Sequence, residues 1–238
     1  MTSTVLRIPW PRIAAESAAI VASILLAFAI DAWWDQKTDQ RRTHAQLETL
    51  RAEFLEVQSQ LSSLEDTLLG LREAISDLLQ HIGPDTQLQS MDALLILMDL
   101  SFRAATFELQ SGSLQAFLAS GDLSEVPDSE LKGMLAAWPA EVSRLRNQSG
   151  LLEANREEII RYLHDKIPTY AIAYKTNQMN DYPKPSFNGR PELLQRDMNV
   201  EGLFGNRGML VEDTLEIVLR LENRASDILE LLDVALNE

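Results

Sequence analysis

Between Leu47 and Ile82 the apolar residues alternate spacings of three and four without a fault: Leu47, Leu50, Phe54, Val57, Leu61, Leu64, Leu68, Leu71, Ile75, Leu78 and Ile82. That is the a/d seam of a long α-helix, sustained over five heptads. Gly83-Pro84 ends it, a glycine stop followed by a proline. Leu55, Leu69 and Leu79 widen the stripe beyond a/d, which suits a bundle better than a two-stranded coil. Gly70 falls on the outer side and costs about 1 kcal/mol of helix propensity.

Two structures bury such a seam: a parallel homodimeric coiled coil, which would make the chain a homo-oligomer, or an intramolecular bundle. The chain supplies partners for the second. Leu131, Leu135, Trp138, Val142, Leu145, Leu152, Ile159 and Leu163 mark one face of a helix over 128–166, interrupted by Ser149 and Arg156. Asp128 and Ser129 can cap its start, and Pro139 should kink it. Val211, Thr214, Val218, Leu221, Ala225, Ile228, Leu232 and Ala235 restore three-four spacing near the C-terminus. The segments 44–82 and 128–166 are of equal length, as antiparallel partners in one bundle would be.

Upstream of the seam lies Ile13 to Trp34, the one stretch that reads as a membrane span. Ser17 to Ile30 carries no charge but covers only about 21 Å of helix, short of a hydrocarbon core of about 30 Å. Ile13 to Trp34 covers about 33 Å and places Glu16 and Asp31 near the two interfaces, where carboxylates reach headgroup water. Trp10, Trp33 and Trp34 flank the run as an interfacial aromatic belt does. Ala15, Ala18, Ala19, Ala22 and Ser23 make a small-residue face. A cleaved signal peptide is a rival reading, with Arg7 and Arg12 as its basic region and Ala27-Phe28-Ala29 as its cleavage box. No Pro or Gly occurs between Ile13 and Leu69 to break the helix there. A buried soluble helix is a third reading. The retained anchor is the expectation, with residues 1–12 as a short tail. Arg7 and Arg12 on one side and Lys37, Arg41 and Arg42 on the other leave the charge rule for orientation without a clean answer.

The remaining segments fill in the domain, expected over 35–238. Gln87 to Leu109 reads as a less regular apolar helix of the core, and Ser113 to Ser120 as a short helix stopped by Gly121. Asp122 to Pro127 reads as a turn. Residues 175–206 break the helical pattern with Pro183, Pro185 and Pro191, several Asn and several Gly, and are expected to form a long loop with a helical piece near Leu193–Met198.

Composition excludes several chemistries. The net charge of -15 opposes nucleic-acid binding through a basic face. The absence of cysteine excludes thiol catalysis, disulfides and Cys-ligated zinc. His44, His81 and His164 do not follow a glutamate by three, so the di-iron bundle pattern is missing. HExxH, a phosphate-cradling glycine loop, a nucleophile elbow and a dinucleotide fingerprint are missing as well. Glu157-Glu158 and Glu212-Asp213 read as solvated helix faces. Tyr162, Tyr170, Tyr174 and Tyr182 cluster around the start of the loop, either as packing and capping groups or as a ligand platform. No catalytic, cofactor-binding or metal-ligating residue is nominated, and no cofactor is expected.

IVASILLAFAIDAWWDQ, with a basic tail before it and a heptad helix after it, resembles a family of uncharacterised bacterial single-pass membrane proteins. ATFELQSGSLQAFLASGDLSEVPDSELKGML is similar to that family's middle segment, matching at Ser120-Gly121-Asp122-Leu123 and Glu130-Leu131. The tail departs from the pattern in having only two arginines. The resemblance implies architecture and not activity: a bacterial inner-membrane protein with its N-terminus cytoplasmic and its C-terminal domain periplasmic.

The expectation is an all-α protein, an N-terminal transmembrane helix continuing into a long heptad helix within an extramembrane antiparallel bundle. The expected role is a non-enzymatic membrane-anchored interaction or scaffold protein whose partners are the lipid bilayer, through residues 13–34, and another protein. A membrane-tethered bundle that senses a small molecule through a partner protein is the alternative, and an enzyme comes third.

Overall fold

The computed structural model describes residues 10–103, 109, 112–126, 128–164, 166–167, 169–175, 179, 181–187 and 192–237, the side chains of 10–22, 36, 39, 91, 169, 175 and 192 excepted. The described residues are helical, without a strand. α1 (Trp10–Gln80) is a single helix of 71 residues. It is followed by α2 (Met91–Ser101), α3 (Gly112–Ser120), a 3₁₀ turn at Asp122–Glu125, and α4 (Ser129–His164). The short helices α5 (Thr169–Lys175) and α6 (Glu192–Gln195) precede α7 (Met198–Asn237).

The chain divides into two units, Met1–Thr49 and Leu50–Glu238. In the first, the described part is α1 alone. Among the described residues no helix is long and apolar enough to cross a membrane. The side chains of residues 13–22 of the expected span lie outside the described residues.

The second unit is a bundle of α1, α4 and α7. The ten seam residues of this unit, from Leu50 to Ile82, are buried, none more than 7 % exposed. Helix direction follows from cross-helix pairs. Arg51 bonds Asp233, Arg72 Nη1 stands 3.9 Å from Glu212, and a Cβ on Gly208 would lie 3.5 Å from the Ile75 methyl. Numbers rise along α1 as they fall along α7, so these helices are antiparallel. Glu141 likewise pairs with Arg224, the Leu152 carbonyl with Arg207 and Tyr162 with Asn199, so α4 and α7 are antiparallel too. It follows that α1 and α4 run parallel, against the expectation drawn from their equal lengths. The antiparallel partner of both is α7, which at 40 residues is longer than its visible seam.

Parallel helices need a return, and α2 and α3 mark it. Ser101, the last residue of α2, donates its hydroxyl to the Ala74 carbonyl at 3.2 Å, near the end of α1. At the start of α3, the Ser113 and Leu114 N–H groups donate to Glu53, some 20 residues earlier on α1. The chain has by then come back to the level of Phe54, which packs on Trp138 in the third turn of α4.

The expected helix over Gln87–Leu109 is shorter than its apolar run. Ser90 caps α2 by accepting the Ala93 N–H at 3.2 Å, and the helix stops at Ser101. Residues 104–108 of that expectation lie outside the described residues. Gly121, at φ +83°, ends α3 as expected, and Asp128 caps α4 by accepting the Leu131 N–H at 2.6 Å. α4 runs through Pro139 as one element. The expected loop over 175–206 is cut short by α7, which begins at Met198 and carries Gly202, Gly205 and Gly208 within a helix. Each glycine costs about 1 kcal/mol of propensity. Burial of Val200 and Phe204 on the inner face offsets that cost.

Candidate functional site

Two features of α1 stand apart from the core. Ile24, Leu25, Leu26, Phe28, Ile30, Trp33 and Trp34 are each 48–65 % exposed. Consecutive residues of a helix are about 100° apart, so these side chains cover every side of it. A helix serving a protein core is apolar along one stripe only. The run ends on paired indoles: Trp33 and Trp34 meet edge to face, centroids 5.6 Å apart. Lys37 follows, its Nζ 5.1 Å from the Trp33 ring centroid.

In the bundle, polar side chains are held in three clusters. The first surrounds Arg207, which is 1 % exposed and, among the described residues, has no carboxylate bonded to it. Its Nε donates to the Ser101 carbonyl at 2.7 Å, Nη1 to Leu152 at 3.1 Å and Nη2 to Arg103 at 3.1 Å. Arg156 donates its Nε to the Phe102 carbonyl at 3.0 Å and pairs through Nη1 with Glu153. Two guanidinium groups therefore satisfy the carbonyls left open at the end of α2 and complement its negative dipole end. Burial pushes the Arg207 pKa down to about 10, Arg156 pushes in the same direction and Glu153 opposes them. Asn155, 4 % exposed on the same stretch of α4, makes no side-chain hydrogen bond among the described residues.

The second cluster joins the end of α4 to the start of α7. Asp197 accepts from Lys166 Nζ at 2.5 Å, from the Tyr162 hydroxyl at 2.8 Å and from the Asn199 N–H at 2.9 Å. Lys166 also lies over the Tyr162 ring, 4.7 Å from its centroid. Burial raises the Asp197 pKa, but the hydrogen bonds from Lys166, Tyr162 and Asn199 outweigh it and hold the carboxyl below its usual range. The bond to Asp197, aided by Tyr162, raises that of Lys166 against desolvation.

The third cluster is Gln195, fully buried. Its amide oxygen accepts the Gln89 N–H at 2.8 Å, and its amide nitrogen donates to the His81 and Gln87 carbonyls at 2.8 and 3.3 Å. Its own carbonyl accepts the Gly83 N–H at 2.7 Å. One residue thus fixes the turn after α1. All three clusters join elements of the bundle: Arg207 and Gln195 bond backbone groups, and Asp197 bonds chiefly the side chains of Lys166 and Tyr162.

The residues weighed from sequence are scattered. His44 lies 3.7 Å from Glu48, His81 bonds the Asp77 carbonyl at 2.8 Å, and His164 is exposed at the end of α4. Among the described residues no three His, Asp or Glu come together as a metal site. Glu157, Glu158, Glu212 and Asp213 are exposed. Of the tyrosines, Tyr162 serves as a latch to Asp197, Tyr170 bonds the Pro183 carbonyl and meets Tyr174 edge to face at 6.2 Å, and Tyr182 is exposed. Sequence reasoning missed Arg207 and Gln195. Arg207 had a signal: Val200, Phe204, Arg207, Val211 and Thr214 continue the three-four spacing of α7 upstream, with an arginine in a core position.

Compared with family models, curated proteins and solved structures, the chain matches none.

Proposed function

We propose that the chain is a membrane-anchored helical scaffold, held in a bilayer by residues 13–34 and offering its bundle to a protein partner. The observation that carries this reading is the exposure of Ile24 to Trp34 on every side of α1. Apolar surface left in water costs about 25 cal/mol per Å², and a bilayer removes that cost all round the helix. Ser17 to Trp34 contains a single charge, Asp31, which stands about 4.5 Å along the axis from Trp34 and so within reach of the interface. The scaffold role is supported by the use made of the bundle's polar groups, which join its own helices. In this reading the membrane is the bacterial inner membrane, with the N-terminus cytoplasmic and the bundle periplasmic, an orientation resting on the family resemblance.

The partner is tested by crosslinking in intact membranes followed by affinity purification of the full chain. The scaffold reading expects one discrete adduct with a second protein, recovered in repeat preparations. Recovery of the chain alone, or of random membrane proteins, contradicts it.

A further inference from the structure

We propose that Lys37 and Arg41 bind the headgroups of anionic phospholipids, so that the anchor selects the lipids around it. The inference rests on the anchor reading and adds the chemistry of its lipid partner.

Lys37 and Arg41 follow Trp33 at intervals of four residues and are exposed. At 3.6 residues per turn, Trp33, Lys37 and Arg41 fall within about 80° of one another on the helix. Lys37 already lies against the Trp33 ring at 5.1 Å. By helix periodicity Asp31 and Asp35 lie about 160° around the helix from Trp33 and Asp39 about 120°, and Arg42 is on their side, about 180° from it. His44, on the Trp33 side, faces Glu48 at 3.7 Å. The helix therefore turns one cationic face, headed by an indole, away from Asp31, Asp35 and Asp39, and Glu48, the carboxylate on that face, stands about 10 Å beyond Arg41 along the axis, paired with His44.

The axial position fits the same partner. With Trp33 and Trp34 at the edge of the hydrocarbon, Lys37 and Arg41 stand about 4.5 and 10 Å further along. The headgroup layer extends roughly 5–8 Å beyond the hydrocarbon on each side. Helix side chains lean toward the N-terminus, here back toward the bilayer, so both cations reach phosphate. Charge complementarity sets the class of lipid. The chain carries a net charge of -15, which an anionic surface repels, and the Lys37–Arg41 face is the part beside the bilayer that such a surface attracts.

The test uses bromine quenching of the indoles. The full chain carrying Trp10→Phe is reconstituted in phosphatidylcholine vesicles containing a minority of phosphatidylglycerol, with bromines on the acyl chains of one lipid or the other. Trp33 and Trp34 report on the bilayer, and Trp138, 1 % exposed in the bundle, gives a constant background. At equal mole fraction, brominated phosphatidylglycerol should quench more strongly, by roughly fivefold for each cation engaged. Lys37→Gln with Arg41→Gln should bring the ratio to about one, and so should high salt. Equal quenching by both lipids in the parent chain overturns the inference while leaving the anchor standing. A preference that survives the double substitution overturns the assignment to Lys37 and Arg41. Quenching by neither lipid puts Trp33 and Trp34 outside the bilayer and overturns the anchor reading together with the inference.

Discussion

Phe54 of α1 meets Trp138 of α4 edge to face, with ring centroids 5.0 Å apart and an angle of 66° between the planes. Both residues are 1 % exposed. The seam that could have paired two chains is filled from within one. Leu64, 5 % exposed near its middle, tests this. Leu64→Ala should leave a cavity and cost about 2–5 kcal/mol, seen as a lower Tm of the full chain in detergent. The protein mass in sedimentation should not change. A dimer that Leu64→Asp converts to a folded monomer would instead make the seam an oligomer interface.

Arg207→Ala should be among the most damaging single substitutions in the bundle. It opens a cavity and leaves the Ser101, Leu152 and Arg103 carbonyls without that donor. The expected cost is about 3–5 kcal/mol, read as a lower urea midpoint. Arg207→Lys should not restore it, because a single ammonium cannot reproduce a planar fork that spans three carbonyls. Full recovery with lysine would show that charge alone matters at this position.

Asp197 makes a pH-dependent contribution of definite sign. Its folded-state pKa is held below the unfolded one, so the stabilisation is complete above the unfolded value of about 4. It is lost as pH falls through the folded value. Asp197→Asn should therefore cost about 1–2 kcal/mol at neutral pH, and the difference from the parent should close on acidification. Equal Tm values at pH 7 would remove the latch from the account.

Glu222 on α7 behaves oppositely. Burial, followed by Glu65 and Asp66 of α1, holds its carboxyl above the usual range. A raised folded-state pKa means that stability is lost as pH rises through that value. Glu222→Gln should thus stabilise the bundle at neutral pH, on the order of 0.5 kcal/mol, with the gain shrinking as pH falls through the raised folded-state value and gone below the unfolded value of about 4.3. A loss of stability at neutral pH would show that Glu222 makes a favourable contact in its charged form.

The parts of the fold legible in the sequence are those where spacing and burial agree. Leu47 to Ile82 could be read because every a/d position is apolar. The first turns of α7 could not, because Asn199, Gly202, Gly205, Asn206 and Gly208 favour a loop locally and are overruled by packing of Val200 and Phe204. On α4, the core position after Leu152 belongs to Asn155, a polar residue that a search for apolar periodicity passes over. Helix direction was hidden for a different reason. Equal length says nothing about polarity of packing, and the pairs that define it, such as Arg51 with Asp233, are far apart in the chain. Arg207 and Gln195 were missed because an arginine or glutamine is ordinarily a surface residue. Their burial depends on carbonyls that only the folded chain brings together.

Alkaline carbonate extraction of membranes containing the full chain tests the central claim most directly. If residues 13–34 are a transmembrane anchor, the intact chain stays in the pellet and is released only by detergent. Release of the intact chain into the carbonate supernatant would contradict the account, because a helix that spans the hydrocarbon core does not leave it when surface contacts are stripped.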